Sequence, residues 1–381
     1  MPRVTTSGGA DGASGGWTQG WSVRRRAAEP DASIPSEDER GPVREPVPSG
    51  AAIICAFAIL IVAVFRLDVP YFALTPGPAP DVVQLIDISG ADTRPVTGHL
   101  LLTTVSLRPI RVAEAIRGWF DANYEIVSRS AVIGQDESEQ EAEQRTNQQM
   151  DESQENAAAA ALALLGYEVK ITPIGARVAN ITADGPAYKV LRRGDLIVGV
   201  DEVPVRRFEE LRAVISRHQV GDEVTLKIVR GSDSITVRTK TVGNPADPTK
   251  PIIGVVLQNV PRLQLPVAVD IESLGIGGPS AGLMYALGIV DLLNAPDLTK
   301  GRTIAGTGAI TPEGDVQPVG GIRQKVAAAR GAEADLFIAP LMEVREACER
   351  AGPMRVVGVD HLREAVDALL GRPSPPGRSC S

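Results

Sequence analysis

The chain has 381 residues, 43% of them hydrophobic, and a formal net charge of −8. That length holds two or three domains, and the acidic balance excludes nucleic-acid binding as the main role. Cys55, Cys348 and Cys380 are scattered, with neither a disulfide framework nor a zinc pattern, and His99, His218 and His361 miss metal-ligand spacing, so a metalloprotease is excluded and no cofactor or metal is expected.

Residues 1–49 are rich in Gly, Ser, Pro and charge and read as a disordered tail. Gly50 to Phe65 is uncharged and apolar; Val47 and Leu67 lengthen it toward the ~20 residues of a spanning helix, and Arg66 can snorkel. The expectation is a transmembrane helix over residues 50–67. A cleaved signal peptide is disfavoured by the long leader and the missing A-x-A site, and a buried soluble helix is the plain alternative. Arg24, Arg25, Arg26, Arg40 and Arg44 precede the run. Positive-inside logic keeps that tail cytoplasmic and puts everything after Leu67 outside the cell membrane.

Leu74 to Pro80 breaks regular structure. Val82 to Ile88 and His99 to Val105 read as strands, and Ile110 to Phe120 as a helix. Gly134 to Glu155 is strongly acidic and reads as a solvated loop or exposed helix face. Met150 to Leu165 has high helix propensity and stops at Gly166. Residues 68–166 thus form an α/β portion. From Tyr167 the pattern shifts to short strands around one amphipathic helix, Phe208 to His218, with Gly185-Pro186-Ala187 and Leu191-Arg192-Arg193-Gly194-Asp195-Leu196-Ile197 between them.

The last third carries the chemistry. Gly277-Gly278-Pro279-Ser280-Ala281-Gly282 sets a serine among small residues just before an apolar run. Pro279 suits a first helical turn, and the free amides there can hold an oxyanion. Gly278 and Gly282 let backbone approach a substrate carbonyl. Farther on, Ile322, Lys325, Val326 and Ala329 fall at i, i+3, i+4 and i+7, so Lys325 shares an apolar stripe. Burial lowers a lysine's pKa, and a neutral amine can take the proton from Ser280. The plain alternative is a small-residue turn and a surface lysine.

Gly278-Pro279-Ser280-Ala281-Gly282, Gly306-Thr307-Gly308-Ala309-Ile310 and Val316-Gln317-Pro318-Val319-Gly320-Gly321-Ile322 leading to Lys325 together resemble the proteolytic domain of Lon proteases, over residues 250–371. The resemblance implies Ser280 as nucleophile, Lys325 as general base and Thr307 as the hydroxyl that orients it. Two departures stand out: Ala309 where an acidic residue is common, and Ile276-Gly277-Gly278 where charge is common. Residues 167–243 resemble a PDZ domain of bacterial proteases, which adds an extended peptide as a strand. The expected groove lies between Gly175–Ile181 and the helix at Phe208–Ser216, with Ile171 to Ala176 as candidate carboxylate loop.

Gly98 to Val105 resembles early strands of the Lon-type fold, so the PDZ domain either precedes the proteolytic domain or is inserted into it. The whole resembles a membrane-anchored bacterial family, α+β in class, with residues 372–381 as a disordered tail. The implied partners are polypeptides with exposed termini or unfolded segments. Lon-type domains often form rings, which is compatible with a homo-oligomer that no residue pattern here derives. No G-x-x-x-x-G-K-[S/T] phosphate loop occurs, so ATP-independent cleavage by this chain is expected. Two rival readings remain. Gly278-x-Ser280-x-Gly282 with Asp335 and His361 fits the residue order of an α/β-hydrolase esterase. A tethered peptide-binding protein with an inactive protease fold is the non-enzymatic one.

Overall fold

The computed structural model describes residues 50–118, 121, 123–133, 138–182, 185–294, 296–372 and 378–380. The proposed tail over residues 1–49 lies outside these. Helix α1, Gly50–Phe65, has 16 residues and a run of exposed apolar side chains. At 1.5 Å per residue it is about 24 Å long, less than the ~30 Å of a bilayer core. No helix among the described residues is long and apolar enough to cross a membrane. The expected extension past Phe65 fails because Asp68 already starts β1, Asp68–Pro76.

The strand expected over Val82–Ile88 begins as a 3-10 turn, because Asp81 caps it by accepting the Val83 amide at 3.2 Å. Extended chain resumes at β2, Ile86–Ser89. Strand β3, His99–Leu102, and β4, Val105–Arg111, are separated by Thr103–Thr104. Helix α2, Val112–Gly118, is shorter than expected, with residues 119–120 outside the described set. Strand β5, Glu125–Ser128, completes an antiparallel sheet in the order β4-β1-β5.

The acidic stretch is mostly helix. Helix α3, Glu139–Leu164, starts eleven residues before the expected Met150 because Ser138 and Glu141 close a capping box. Its N-terminal turns face solvent. Its C-terminal half buries Ala157 to Leu162. It ends where Gly166 turns left-handed at φ +88°, with the Tyr167 amide bonded to the Leu162 carbonyl at 3.0 Å.

Next come β6, Lys170–Ile181, β7, Leu196–Val200, helix α4, Phe208–Ile215, β8, Glu223–Arg230, and β9, Asp233–Lys240. Strand β10, Val255–Gln264, returns antiparallel to β6, from Val255↔Ile181 to Gln264↔Lys170. The sheet order is β9-β8-β7-β6-β10. Alternation buries Val224, Leu226 and Ile228 on one face of β8, against Val178, Ile197, Leu211 and Ile215. This module therefore runs to Gln264, past the boundary at 243 expected from the sequence. Its closing strand arrives last in the module and pairs with β6, its first strand.

Strand β11, Ala268–Ile271, pairs with β2. Helix α5, Gly282–Leu293, is buried from Gly282 through Leu292. Beyond it lie β12, Thr303–Gly306, helix α6, Ile322–Gly331, β13, Leu336–Pro340, helix α7, Val344–Ala351, β14, Arg355–Val359, helix α8, Leu362–Leu370, and β15, Ser379–Cys380. The sheet runs β15-β14-β13-β12-β3, parallel except for β15. Strands β2 and β3 thus come from before the β6–β10 module and β11 to β15 from after it, in one core around α5.

Two expectations about the C-terminus are corrected. Residues 379–380 are strand, and Cys348 on α7 is disulfide-bonded to Cys380. A sequence separation of 32 gives no hint of that pairing. It follows from β15 lying beside β14, against which α7 packs.

Candidate active site

The site is built at the C-terminal end of β12. Gly278 adopts φ +89°, a conformation costly for any residue with a Cβ. Its amide donates to the Thr146 carbonyl of α3 at 2.8 Å. Pro279–Ala281 form a 3-10 turn that runs into α5, and Ser153 Oγ on α3 donates to the Pro279 carbonyl at 2.9 Å. A Cβ on Gly282 would fall 2.8 Å from both Ile310 Cγ2 and Ser153 Oγ, so only glycine fits. The nucleophile turn is thus clamped between α3 and Ile310.

Ser280 is half-buried. Its carbonyl accepts the Gly308 amide at 3.0 Å and Thr307 Oγ1 at 3.1 Å. Thr307 is fully buried, and its hydroxyl in turn accepts a hydrogen bond from Lys325 Nζ at 3.0 Å. Lys325 is 2% exposed, one of very few buried charged side chains among the described residues. It sits in the first turn of α6, with Ile322 and Val326 holding that face in the core. Gly321, at φ +71°, starts the helix, where a Cβ would fall 2.8 Å from Val105 Cγ1. Burial lowers the Lys325 pKa to about 8, opposed by the Glu343 carboxylate, which raises it. Ser280 Oγ and Lys325 Nζ are not hydrogen-bonded to each other among the described residues; Thr307 connects to both residues. Catalytic hydrogen bonds are often long before substrate binds.

All six singled-out residues, Ser280, Lys325, Thr307, Gly278, Pro279 and Gly282, therefore fall in one place. The esterase triad does not assemble. Asp335 accepts the Thr303 amide at 2.9 Å, at the start of β12, the opposite end of the sheet from Thr307. His361 caps α8: Nδ1 accepts the Arg363 amide at 3.1 Å, and Nε2 lies 3.1 Å from the Glu313 carbonyl. Both ring nitrogens are thus engaged away from Ser280. The sequence reading missed the clamp from α3. Thr146, Ser153 and Asn156, whose Nδ2 donates to the Ile310 carbonyl at 3.2 Å, sit over a hundred residues before the turn they hold. They lie in the Glu/Gln-rich half of α3, where nothing in the sequence sets them apart, and Thr146 acts through its backbone carbonyl.

The groove expected along Gly175–Ile181 is also corrected. Over Ala176–Val178, β6 is bonded on both edges, to β7 and to β10. Ile171 to Ala176 lie within β6 and, apart from Ile174 at a register shift, are paired with β10, so they do not form a carboxylate loop. The open edge belongs to β10, which pairs with β6 alone among the described strands. Helix α4 flanks it: the Phe208 amide donates to Asn259 Oδ1 at 2.7 Å, and Asn259 Nδ2 donates to Glu209 at 3.1 Å. The entry to β10 turns at Gly254, φ +74°, beside buried Ile253.

Comparison with known proteins finds both domains, with a PDZ match that begins within α3 and stops before β10. Residues 145–241 match the PDZ domain family, and residues 266–370 match the Lon protease (S16) C-terminal proteolytic domain. The archaeal Lon protease of Halobacterium salinarum is 32% identical over 103 residues, covering 26% of this chain and 14% of that protein. Lon protease 2 of Bacillus subtilis is 31% identical over 98 residues, covering 26% and 17%. Protease Do-like 8 of Arabidopsis thaliana is 44% identical over 45 residues, covering 12% and 10%. A crystallised PDZ domain of the SdrC-like protein from Listeria monocytogenes is 29% identical, covering 23% of this chain and 92% of that one, with a TM-score of 0.22. The chain spans only about a sixth or less of the curated relatives named here. It carries a PDZ domain and a serine endopeptidase domain of the Lon type.

Proposed function

We propose that this chain is a membrane-anchored serine endopeptidase that works without ATP through Ser280 and Lys325. The observation that carries the reading is the buried run Lys325 Nζ–Thr307 Oγ1–Ser280 O. A desolvated amine with a pKa of about 8 is partly neutral at physiological pH and has a lone pair to accept a proton. In the first step the Ser280 O–H bond breaks, its proton passes to Lys325 Nζ, and Oγ bonds to the substrate carbonyl carbon. Among the amides of the turn, Gly282 donates to the Pro279 carbonyl and Leu283 to the Gly308 carbonyl. The amides of Ser280 and Ala281, the first in the helical turn, are the donors for the oxyanion. The tetrahedral intermediate collapses as the lysine returns the proton to the leaving amine, and water then releases the acyl group by the same route in reverse.

Substrate capture is assigned to the open edge of β10. An extended peptide adds there as a further strand, antiparallel to β10, its C-terminal carboxylate near the Gly254 turn. Upstream residues of the peptide then run toward Gln264, the end of β10 that leads into β11 and the proteolytic core. The experiment for the enzyme is cleavage of an unfolded protein by the purified chain with and without ATP and magnesium. Equal rates are expected; a strict ATP requirement would overturn the reading.

Membrane attachment is assigned to the apolar run Gly50–Leu67. The Cys348–Cys380 disulfide favours placing the folded domains in an oxidising, extracytoplasmic compartment. In intact cells a cysteine at Ser232 is expected to react with an impermeant thiol reagent and one at Ser7 to stay unlabelled. The opposite pattern reverses the topology.

A further inference from the structure

Lys325 has a charged neighbour that the dyad does not use. Glu343 ends the 3-10 turn Leu341–Glu343 between β13 and α7. Its Oε1 accepts the Val319 amide at 3.0 Å, which ties it to the loop entering α6 two residues before Gly321. Its Oε2 is buried and has no hydrogen-bond partner among the described residues. An orphaned buried carboxylate oxygen is costly unless a positive charge reaches it. Lys325 Nζ donates one hydrogen bond, to Thr307, whereas an ammonium has three donors. The two groups sense one another: Lys325 pulls the Glu343 pKa down, and Glu343 pushes the Lys325 pKa up. Burial is the larger influence on both, driving each toward its neutral form. Among other charges nearby, Glu346 on α7 raises the Glu343 pKa and is itself paired with Arg323 of α6 at 2.8 Å.

We propose that Glu343 is a positioning residue acting through Lys325: it holds the loop entering α6 by its bond to Val319, and its carboxylate stabilises the ammonium that Lys325 becomes on taking the Ser280 proton. This rests on Lys325 being the base. No second proton is needed. The serine proton moves to Nζ, the carboxylate stays ionised opposite it, and the proton leaves again with the departing amine. Without the carboxylate, Lys325 loses its proton more readily but is a weaker base, and its charged form is less stable in the transition state.

Glu343→Gln keeps an acceptor for Val319 and removes only the charge. Two readouts are needed. The first is the titration of Lys325 Nζ followed by NMR in 15N-lysine-labelled protein, its signal identified by Lys325→Arg. The second is the pH profile for cleavage of a short peptide. In Glu343→Gln the Lys325 midpoint and the acid limb of kcat are both expected to fall by about one unit, with kcat on the plateau about tenfold lower and KM within about twofold. An unmoved Lys325 midpoint overturns the proposal. If the midpoint moves and the acid limb does not, the pairing stands and it is Lys325 as base that fails. Glu343→Asp guards against misfolding of the amide variant: it keeps the charge, so the midpoint should stay within about half a unit of the native protein. A fall as large as that expected for glutamine would equally overturn the proposal.

Discussion

Ser280→Ala and Lys325→Met should each lower peptide-bond cleavage by at least about a thousandfold, whereas His361→Ala should keep most of it. The serine supplies the attacking oxygen, and the lysine is the only buried amine joined to its loop among the described residues. His361 spends both ring nitrogens on the cap of α8 and the Glu313 carbonyl. Loss of activity in His361→Ala with Lys325→Met still active would return the enzyme to the hydrolase class. In the native chain, activity should rise with pH through about 8, because only the unprotonated lysine can accept a proton. A limb near 6.5, where an ordinary histidine titrates, would count against the dyad.

The same lysine makes a stability prediction of opposite sign. Its folded pKa lies below its unfolded value of 10.5, so the unfolded chain binds the proton more tightly. The cost of burying the ammonium is fully present below about pH 8 and is relieved as pH rises toward 10.5. A drop from 10.5 to about 8 corresponds to roughly 3 kcal/mol, from which loss of the Thr307 hydrogen bond takes back about 1 kcal/mol. Lys325→Met should therefore be inactive yet more stable by roughly 2 kcal/mol at pH 7, with the gap closing by pH 10. Denaturant titration at the two pH values measures this. An equally large gain at both would mean that buried charge is not the cause.

Replacing residues 169–265 with a flexible linker should cost about a hundredfold in cleavage of long unfolded substrates and less than about threefold for short peptides. The boundaries come from the sheet. A cut at residue 243 would strand β10, whose ten residues pair with β6, and leave apolar faces of Val255 and Leu257 without their core. Excision to Gln264 spares β2–β11 and β3–β12, the pairings that join the two halves of the proteolytic core. Equal losses on both substrate types, with the native fold retained, would make the PDZ module structural. One contact makes partial coupling a further point to watch: Arg177 of β6 is ion-paired with Glu152, next to the Ser153 that holds the Pro279 carbonyl.

What the sequence determined by itself is local. The Gly278-Pro279-Ser280 turn needs a residue without a Cβ, a ring suited to a first helical turn and a small nucleophile, and all three requirements are written in consecutive letters. Lys325 on the stripe of Ile322, Val326 and Ala329 follows from helical period alone, and its burial follows from that stripe. Alternation in Val224 to Arg230 likewise gives a half-buried strand. Tertiary structure decided everything that depends on a distant partner. Strand β10 takes the edge beside α4 because β6 offers it a ten-residue ladder, which leaves β10, not β6, with the open edge. The acidic helix became the clamp of the nucleophile turn because the fold brings Thr146 and Ser153 into direct hydrogen-bond contact with it. Cys380 found Cys348 because β15 lies beside β14. Short-range rules read dihedral preference and periodicity, which are properties of a few neighbouring residues. Hydrogen bonds and disulfides between segments a hundred residues apart depend on chain-wide topology, which no local window contains.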